Sequence, residues 1–228
     1  MRENVVSLGE LAFACRVYAA MTDYGSSLRD FRDQVHGNLD LDDPKHRDEL
    51  LTWLNAWGCR IALTSLQGMS QELAAWHKST RRQLPGPADC LQDLSDAVLD
   101  KFVHLYDHLS GLRPREGTRS LAPTAASKTL FALRPGVFVP WDMAIRDDFQ
   151  ADGTGESYVS YLTQAREDLR RISEQCSGHG FDLEALAERI GRSGATGGQL
   201  VGEYYWVTIT RKAEPPDHKT LRNWLAWS

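Results

Sequence analysis

The chain has 228 residues, 42% hydrophobic and 25% charged, a composition that is typical of a globular protein and excludes one that is mainly disordered. Its net charge of −5 argues against a protein that simply coats nucleic acid, because such proteins are basic. No apolar run approaches the roughly 18–20 residues of a membrane helix, and the start, MRENVVS, lacks the apolar core of a signal peptide. We therefore expect a cytoplasmic protein without a membrane partner.

Apolar residues recur at helical spacing through most of the chain, beginning with Leu8, Leu11 and Cys15. Residues 81–87 are predicted to be a linker and 191–198 a glycine-rich break, while 200–210 is ambiguous between a buried helix and a strand. The pattern predicts an all-α fold of two closely packed helical lobes within one domain, residues 1–228. Outside the segment 117–149, the predicted helices are residues 8–19, 44–59, 61–76, 91–109, 157–175, 182–190 and 219–227.

The cysteines and histidines do not predict a metal centre. Cys15, Cys59, Cys90 and Cys176 lie far apart without a C-x-x-C pair, which favours reduced thiols over a zinc site or an iron–sulfur cluster. His104 and His108 are four residues apart on a predicted helix, but a third ligand is not evident. We expect no metal and no cofactor.

One segment of this acidic chain is basic. Residues 111–146 contain six lysines and arginines against Glu116 and Asp142, so the segment carries six minus two, or +4. Most such clusters are solvated surface. This one surrounds the most unusual motif in the chain, SLAPTAASKTLFALRPGVFVPWD, which spans residues 120–142.

The motif predicts a helix followed by an extended strand-like run. Pro123 suits a first helical turn, and small residues after it permit another backbone to approach closely. Amide groups at such a helix start can bind a phosphate. Arg134 and the Pro-Gly after it end the helix, and the apolar run 137–141 then leads to Asp142. Any binding of DNA by this acidic chain would have to use this local basic segment, and the candidate DNA-binding residues are Thr124, Ser127, Lys128 and Arg146.

This arrangement resembles the helix–hairpin–helix DNA glycosylases. Their hairpin reads approximately Leu-Pro-Gly-Val-Gly-x-Lys-Thr-Ala, and a Val-Asp-x-x-Val aspartate segment follows. Residues 121–126, LAPTAA, are similar to the second half of that hairpin, and WDMAI at 141–145 is similar to the aspartate segment. The Gly-x-Gly pair and the cluster cysteines of some members are missing here. The resemblance covers about 30 residues and implies a glycosylase-like core with its hairpin and catalytic segment in 117–149.

The resemblance implies that the protein binds double-stranded DNA and cuts a base from its sugar. The target nucleotide must be rotated out of the duplex into a pocket. A carboxylate then stabilises the oxocarbenium-like sugar and orients the attacking water, and Asp142 is expected to take this role. Without the resemblance, a helix cap at Asp142 would be the favoured interpretation.

The resemblance also bears on strand cleavage. Members that nick the strand use a hairpin lysine, and Thr124 stands at that position, whereas Lys128 comes one turn later and is expected to face a phosphate. This predicts a monofunctional enzyme that leaves an abasic site, unless the alignment is displaced by one turn and Lys128 is the nucleophile.

Aromatic and polar residues elsewhere are candidates for the base pocket. Trp53 and Trp57 are one helical turn apart, with Asn55 between them and Arg60 at i, i+3 from Trp57. The run 203–206, EYYW, is predicted mainly as core. The candidate substrate-binding residues are Asn55, Trp57, Arg60 and Trp141.

The sequence alone leaves several interpretations of the function open. The family that the motif resembles includes bacterial anti-phage glycosylases that remove bulky bases such as glucosylated hydroxymethylcytosine, and repair of damaged bases is equally open. A non-catalytic helix–hairpin–helix DNA-binding protein is the main rival, and a helical effector acting on RNA is a third. We expect a monomer, although the sequence leaves the oligomeric state open.

Overall fold

A computed structural model describes residues 6–115, 118–217 and 219–221. Within these ranges the chain is helical and contains no β-strand, which confirms the all-α prediction. The α helices with their bounds are α1 (Leu8–Met21), α2 (Tyr24–Gln34), α3 (Pro44–Ala56), α4 (Leu66–Thr80), α5 (Asp96–Leu99), α6 (Phe102–Gly111), α7 (Ala122–Leu133), α8 (Met143–Asp148), α9 (Gly155–Gly178), α10 (Leu183–Arg189) and α11 (Gly197–Tyr205). Short 3₁₀ turns span Leu63–Ser65 and Leu91–Asp93, and a π-helical turn spans Trp206–Thr210.

The second predicted helix ends earlier than residue 59. Helix α3 stops at Ala56, and Gly58 adopts a φ of +82°, a left-handed conformation that favours glycine. The amide of Gly58 bonds to Asn55 O and that of Cys59 to Leu54 O, each at 3.0 Å, which is the Schellman pattern of a helix C-terminus. The predicted i, i+3 relation between Trp57 and Arg60 on one helix was therefore wrong.

The other corrections are also local. The predicted helix 91–109 is divided into three pieces: the 3₁₀ turn Leu91–Asp93, α5 and α6. The ambiguous run 200–210 is helical, first in α11 and then in the π-helical turn. Of the predicted terminal helix, residues 219–221 are helical and 222–227 lie outside the described residues.

Helix α9, of 24 residues, lies at the centre of the fold. It packs against α6 and α11, and α11 in turn packs against α1. The buried apolar side chains form one continuous cluster that runs from Val6 to Ile209. No helix in the described part of the chain is both long enough and apolar enough to span a membrane.

The segment 134–142 passes between α7 and α11. As predicted, Arg134 ends α7, and residues 137–139 are completely buried. Helix α11 approaches this segment closely because Gly198 has no side chain: a Cβ there would lie 2.8 Å from Pro135 O. The approach places the first turns of α11 beside the segment that leads to Asp142.

The start of α7 holds an alanine in a backbone conformation that favours glycine. Ala122 adopts a φ of +68°, a region that residues with a Cβ rarely occupy. The amide of Leu121 bonds to Leu112 O at 2.8 Å, so the chain folds back before α7 begins. The N-cap residue of α7 is Leu121, whose apolar side chain makes no capping hydrogen bond to the first amide groups of the helix.

Candidate active site

A cavity of about 290 Å³ lies where α1, α2 and α11 meet the end of α3 and the starts of α7 and α8. Met143, which is 67% exposed, stands at its edge, while Glu203, only 4% exposed, lies in its interior. Its polar lining comes from Thr124, Lys128, Asp142, Gln199 and Glu203. Its aromatic lining comes from Tyr18, Tyr24, Trp57, Phe131, Trp141 and Trp206.

Asp142 lines the cavity and is half-buried. It is the N-cap of α8: its Oδ1 accepts a hydrogen bond from Ile145 N at 2.9 Å. Its Oδ2 accepts a hydrogen bond from the Thr210 hydroxyl at 2.8 Å. Both oxygens are thus held in place, and each keeps one further lone-pair direction for a water or a substrate.

The backbone before Asp142 is also anchored. The hydroxyls of Tyr158 and Tyr161, both on α9, donate to Val139 O at 3.0 Å and to Pro140 O at 3.1 Å. These bonds satisfy carbonyls of a run that lacks regular secondary structure. The carboxylate is therefore delivered by a rigid segment.

Ser127 does not contact solvent, and the prediction that it binds DNA was wrong. Its side chain is completely buried, and its Oγ accepts a hydrogen bond from Trp141 N at 3.2 Å. The same oxygen lies 3.0 Å from Thr124 O, to which it donates. Its small size allows the backbone of Trp141 to approach α7, as the small residues of this helix predicted. Ser127 therefore ties α7 to the aspartate segment.

Lys128 lies in the cavity wall and not on an outer surface. Its Nζ donates to Trp57 O at 2.6 Å and lies 5.5 Å from the centre of the Trp57 ring. Burial lowers the pKa of Lys128, while the neighbouring Cys59 and Asp142 raise it. The expectation of an exposed phosphate contact does not fit this placement, because the end of α3 folds over the lysine.

The aromatic lining is partly the one that the sequence predicted. Trp57 and Trp141 both line the cavity. Trp141 is 1% exposed, and its Nε1 donates to the hydroxyl of Tyr106 at 3.2 Å. Trp53 lies outside the lining, with its ring stacked on Phe31 at 5.0 Å. Trp57 is thus the tryptophan of this pair that a ligand can reach.

Asn55 and Arg60 do not line the cavity. The Asn55 side chain forms two hydrogen bonds with the backbone of Ile61. Its Nδ2 donates to Ile61 O at 3.1 Å, and its Oδ1 accepts from Ile61 N at 2.7 Å. Arg60 is exposed, with a φ of +55°. The substrate-binding prediction does not fit either residue, because the chain leaves the helix at Trp57 and turns away.

Residues of α11 and of the π-helical turn after it contribute more to the cavity than the sequence indicated. Glu203 and Trp206, predicted mainly as core, line it, together with Gln199. Arg192 forms a two-point ion pair with Glu203, including Nε to Oε2 at 3.0 Å. Burial raises the pKa of Glu203, and the bonds from Arg192 and Gln199 oppose that shift. The sequence signal for this role is Glu203, an ionisable residue within the largely apolar run 200–210.

Beside the start of α7 lies a basic surface. Arg146 Nη1 and Pro123 Cγ each lie 3.0 Å from the point where a Cβ on Gly153 would be, so the guanidinium is next to the first turn of α7. Its Nε is buried and has no hydrogen-bond partner among the residues that the structure describes. Thr124 is half-buried in the same turn. We call the basic surface the set of Arg113, Arg115, Arg119 and Arg146, of which the first three are exposed.

One group of residues in the described part of the chain is close enough to hold a metal ion, although the sequence predicts none. His104 and His108 are both exposed and are not part of any metal-like group in the described ranges. Asp40, Asp42 and His77 do lie close enough to share an ion. Asp42 already pairs with His77 at 3.2 Å and with Arg81 at 2.9 Å, and none of the three lines the cavity.

Comparison with family models, with curated proteins and with solved structures finds no match for this chain. The features that bear on function are therefore the cavity, the residues that line it and the surface beside it.

Proposed function

We propose that the protein is a monofunctional DNA glycosylase that rotates a modified or damaged base out of the duplex and hydrolyses its N-glycosidic bond. The main observation that supports this proposal is that Asp142 lies on the wall of a cavity whose other walls are largely aromatic. Aromatic rings offer stacking surfaces for an extruded base, and a base stacked there would bring its sugar to the carboxylate. At about 290 Å³ the cavity is near the lower end of the range for small-ligand sites, about 300 Å³.

The chemistry requires a fixed negative charge beside the sugar. Breaking the bond develops positive charge on the sugar ring, and a preorganised carboxylate stabilises that charge without having to reorient. Asp142 is held by Ile145 N and Thr210, so its orientation is set before substrate arrives. The remaining lone pairs can position the attacking water on the sugar.

DNA would lie across the basic surface and the start of α7. Helix N-termini bind phosphate through free amide groups, and the apolar N-cap residue of α7, Leu121, does not compete for them. Arg146 lies beside that turn, with its Nη1 and Pro123 both close to Gly153. Local charge of this kind can bind a duplex although the whole chain is acidic.

Thr124 and Lys128 bear on whether the strand is cut. Thr124 lines the cavity and cannot form a Schiff base. The Lys128 amine is bonded to a backbone carbonyl and lies beside an indole ring. In our proposal this amine stabilises the negative charge that develops on the departing base, and the product is an intact strand with an abasic site.

An abasic-site assay tests the proposal. Duplexes that carry normal, deaminated, oxidised, alkylated or glucosylated hydroxymethylcytosine bases are incubated with the protein, and abasic sites are revealed by alkali. Release of one class of base by the wild type, and not by Asp142→Asn, supports the proposal. Failure to release any base, with the duplexes bound, contradicts it.

The alternative is a non-catalytic helix–hairpin–helix DNA-binding protein. The observation that favours it is that both oxygens of Asp142 already have structural partners, one of them the amide that the residue caps. Under this alternative the Asp142→Asn variant and the wild type bind DNA equally, and neither produces abasic sites.

A further inference from the structure

The interior of the cavity contains an amide whose orientation is set by its neighbours. Gln199, 9% exposed, lines the cavity on the first turn of α11. Its Nε2 donates to Glu203 Oε1 at 3.0 Å, and its Oε1 accepts from Arg32 Nη2 at 3.4 Å. A guanidinium can only donate, and an ionised carboxylate can only accept. The reversed amide would place oxygen against oxygen and N–H against N–H.

Glu203 is kept in the accepting state by a second guanidinium. Arg192 bonds to both of its carboxylate oxygens, so the ionised form is paired despite its burial. Arg32 has no carboxylate within ion-pair distance among the residues that the structure describes, and its donation is directed to the Gln199 oxygen. The two arginines and Glu203 together fix the amide.

One polar hydrogen of this amide is left over. An amide nitrogen carries two hydrogens, and only the one directed to Glu203 has an acceptor among the described residues. The amide oxygen is occupied by Arg32, so what Gln199 offers to a ligand is a donor. A buried donor without a partner costs free energy, which a ligand's acceptor recovers.

We propose that Gln199 reads the extruded base by donating a hydrogen bond to an exocyclic carbonyl oxygen, so that the substrate class is bases that carry such a carbonyl. This inference rests on the proposed glycosylase function for its biological setting. Uracil-, thymine-, cytosine- and guanine-type bases meet the condition. Adenine and its simple alkyl derivatives have no carbonyl and would leave the donor unpaired.

Binding of free bases tests the inference without requiring catalysis. Hypoxanthine and purine share one ring system, and hypoxanthine adds the carbonyl together with a hydrogen on N1, so isothermal titration calorimetry of the two is carried out on the wild type and on a variant without the Gln199 donor. The wild type should bind hypoxanthine about tenfold more tightly than purine. Gln199→Leu, of similar size and without a donor, should bind the two alike. Gln71→Leu, at an exposed position outside the cavity, is the matched control and should keep the preference.

A second variant keeps the test independent of how Gln199→Leu folds. Arg32→Gln removes the guanidinium that holds the amide oxygen, so the amide is held by Glu203 alone and its second hydrogen is less precisely placed, and the preference should fall severalfold. Equal binding of the two bases by the wild type, binding of neither, or a preference that survives in Gln199→Leu would each overturn the inference. A hypoxanthine preference without release of any base from DNA supports it and contradicts the proposed glycosylase instead. Release of adenine-type bases without that preference contradicts the inference and leaves the glycosylase.

Discussion

The Thr210 hydroxyl donates a hydrogen bond to Asp142 Oδ2 over 2.8 Å, although the two residues are 68 positions apart in the chain. Thr210 is the last residue of the π-helical turn that follows α11. Isolated π-helical turns are frequent at functional sites, where the extra residue changes the direction of a side chain. Here the turn presents Trp206 to the cavity and Thr210 to the carboxylate.

Thr210 is therefore predicted to be a positioning residue for Asp142. Thr210→Val removes the hydroxyl at nearly constant volume and should lower kcat for base release about tenfold with KM unchanged. Thr210→Ser, which keeps the hydroxyl, should restore the rate. Thr208→Val is the matched control, because Thr208 lies in the same turn and bonds to Tyr204 O instead. Equal losses in the two valine variants would mean that the turn, and not the bond to Asp142, matters.

Asp142→Asn separates charge from shape. Asparagine caps helices about as well as aspartate, so the bond to Ile145 N and the stability of the fold should be retained. Loss of the negative charge should reduce base release roughly a thousandfold while DNA affinity changes little. Single-turnover release, duplex binding and thermal unfolding are the three measurements. Activity close to that of the wild type would end the catalytic assignment.

Arg146 is predicted to position DNA without reading its sequence. Arg146→Ala should weaken duplex binding for all sequences alike and reduce the salt slope of the affinity by about one. Arg82→Ala, an exposed arginine outside the segment 111–146, is the control. Affinity and salt slope that match the wild type would remove DNA from the basic surface.

Borohydride trapping tests the role of Lys128. A monofunctional enzyme should give no appreciable covalent adduct with DNA, because Thr124 cannot form a Schiff base. The opposite outcome has a physical route, since burial lowers the pKa of Lys128 and so increases the neutral, nucleophilic fraction of its amine. An adduct in the wild type that disappears in Lys128→Ala would show that the enzyme is bifunctional and that Lys128 is the nucleophile.

Replacing Ala122 by glycine should stabilise the fold. Its φ of +68° costs a residue with a Cβ about 1–2 kcal/mol, and the side chain is exposed, so glycine loses no packing there. Glycine has more conformational entropy in the unfolded chain, and this cost offsets part of the gain. Ala122→Gly should therefore raise the free energy of unfolding by about 0.5–1 kcal/mol, or Tm by about 1–4 °C. Ala126→Gly, at a buried position in the same helix, should lower Tm instead. A lower Tm in Ala122→Gly would contradict the strain argument.

The sequence by itself determined the helical class and the local chemistry around Asp142. Helical periodicity, the end of α7 after Leu133 and the buried extended run are properties of neighbouring residues, so they can be inferred without knowing the rest of the fold. The position of Asp142 at the start of a helix can be inferred in the same way. Both a capping role and the proposed catalytic role require it to be there.

Only the tertiary structure decided which side chains share the cavity. Asn55 and Trp57 are two residues apart, yet a left-handed turn at Gly58 leaves Trp57 on the cavity wall while Asn55 bonds to Ile61. Gln199 and Glu203 reach the cavity because α11 packs closely against the segment before Asp142, and Thr210 does so through the π-helical turn. Periodicity says which face of a helix is buried but not what the face is buried against. A cavity depends on contacts between segments far apart in the chain, and these contacts leave no local pattern in the sequence.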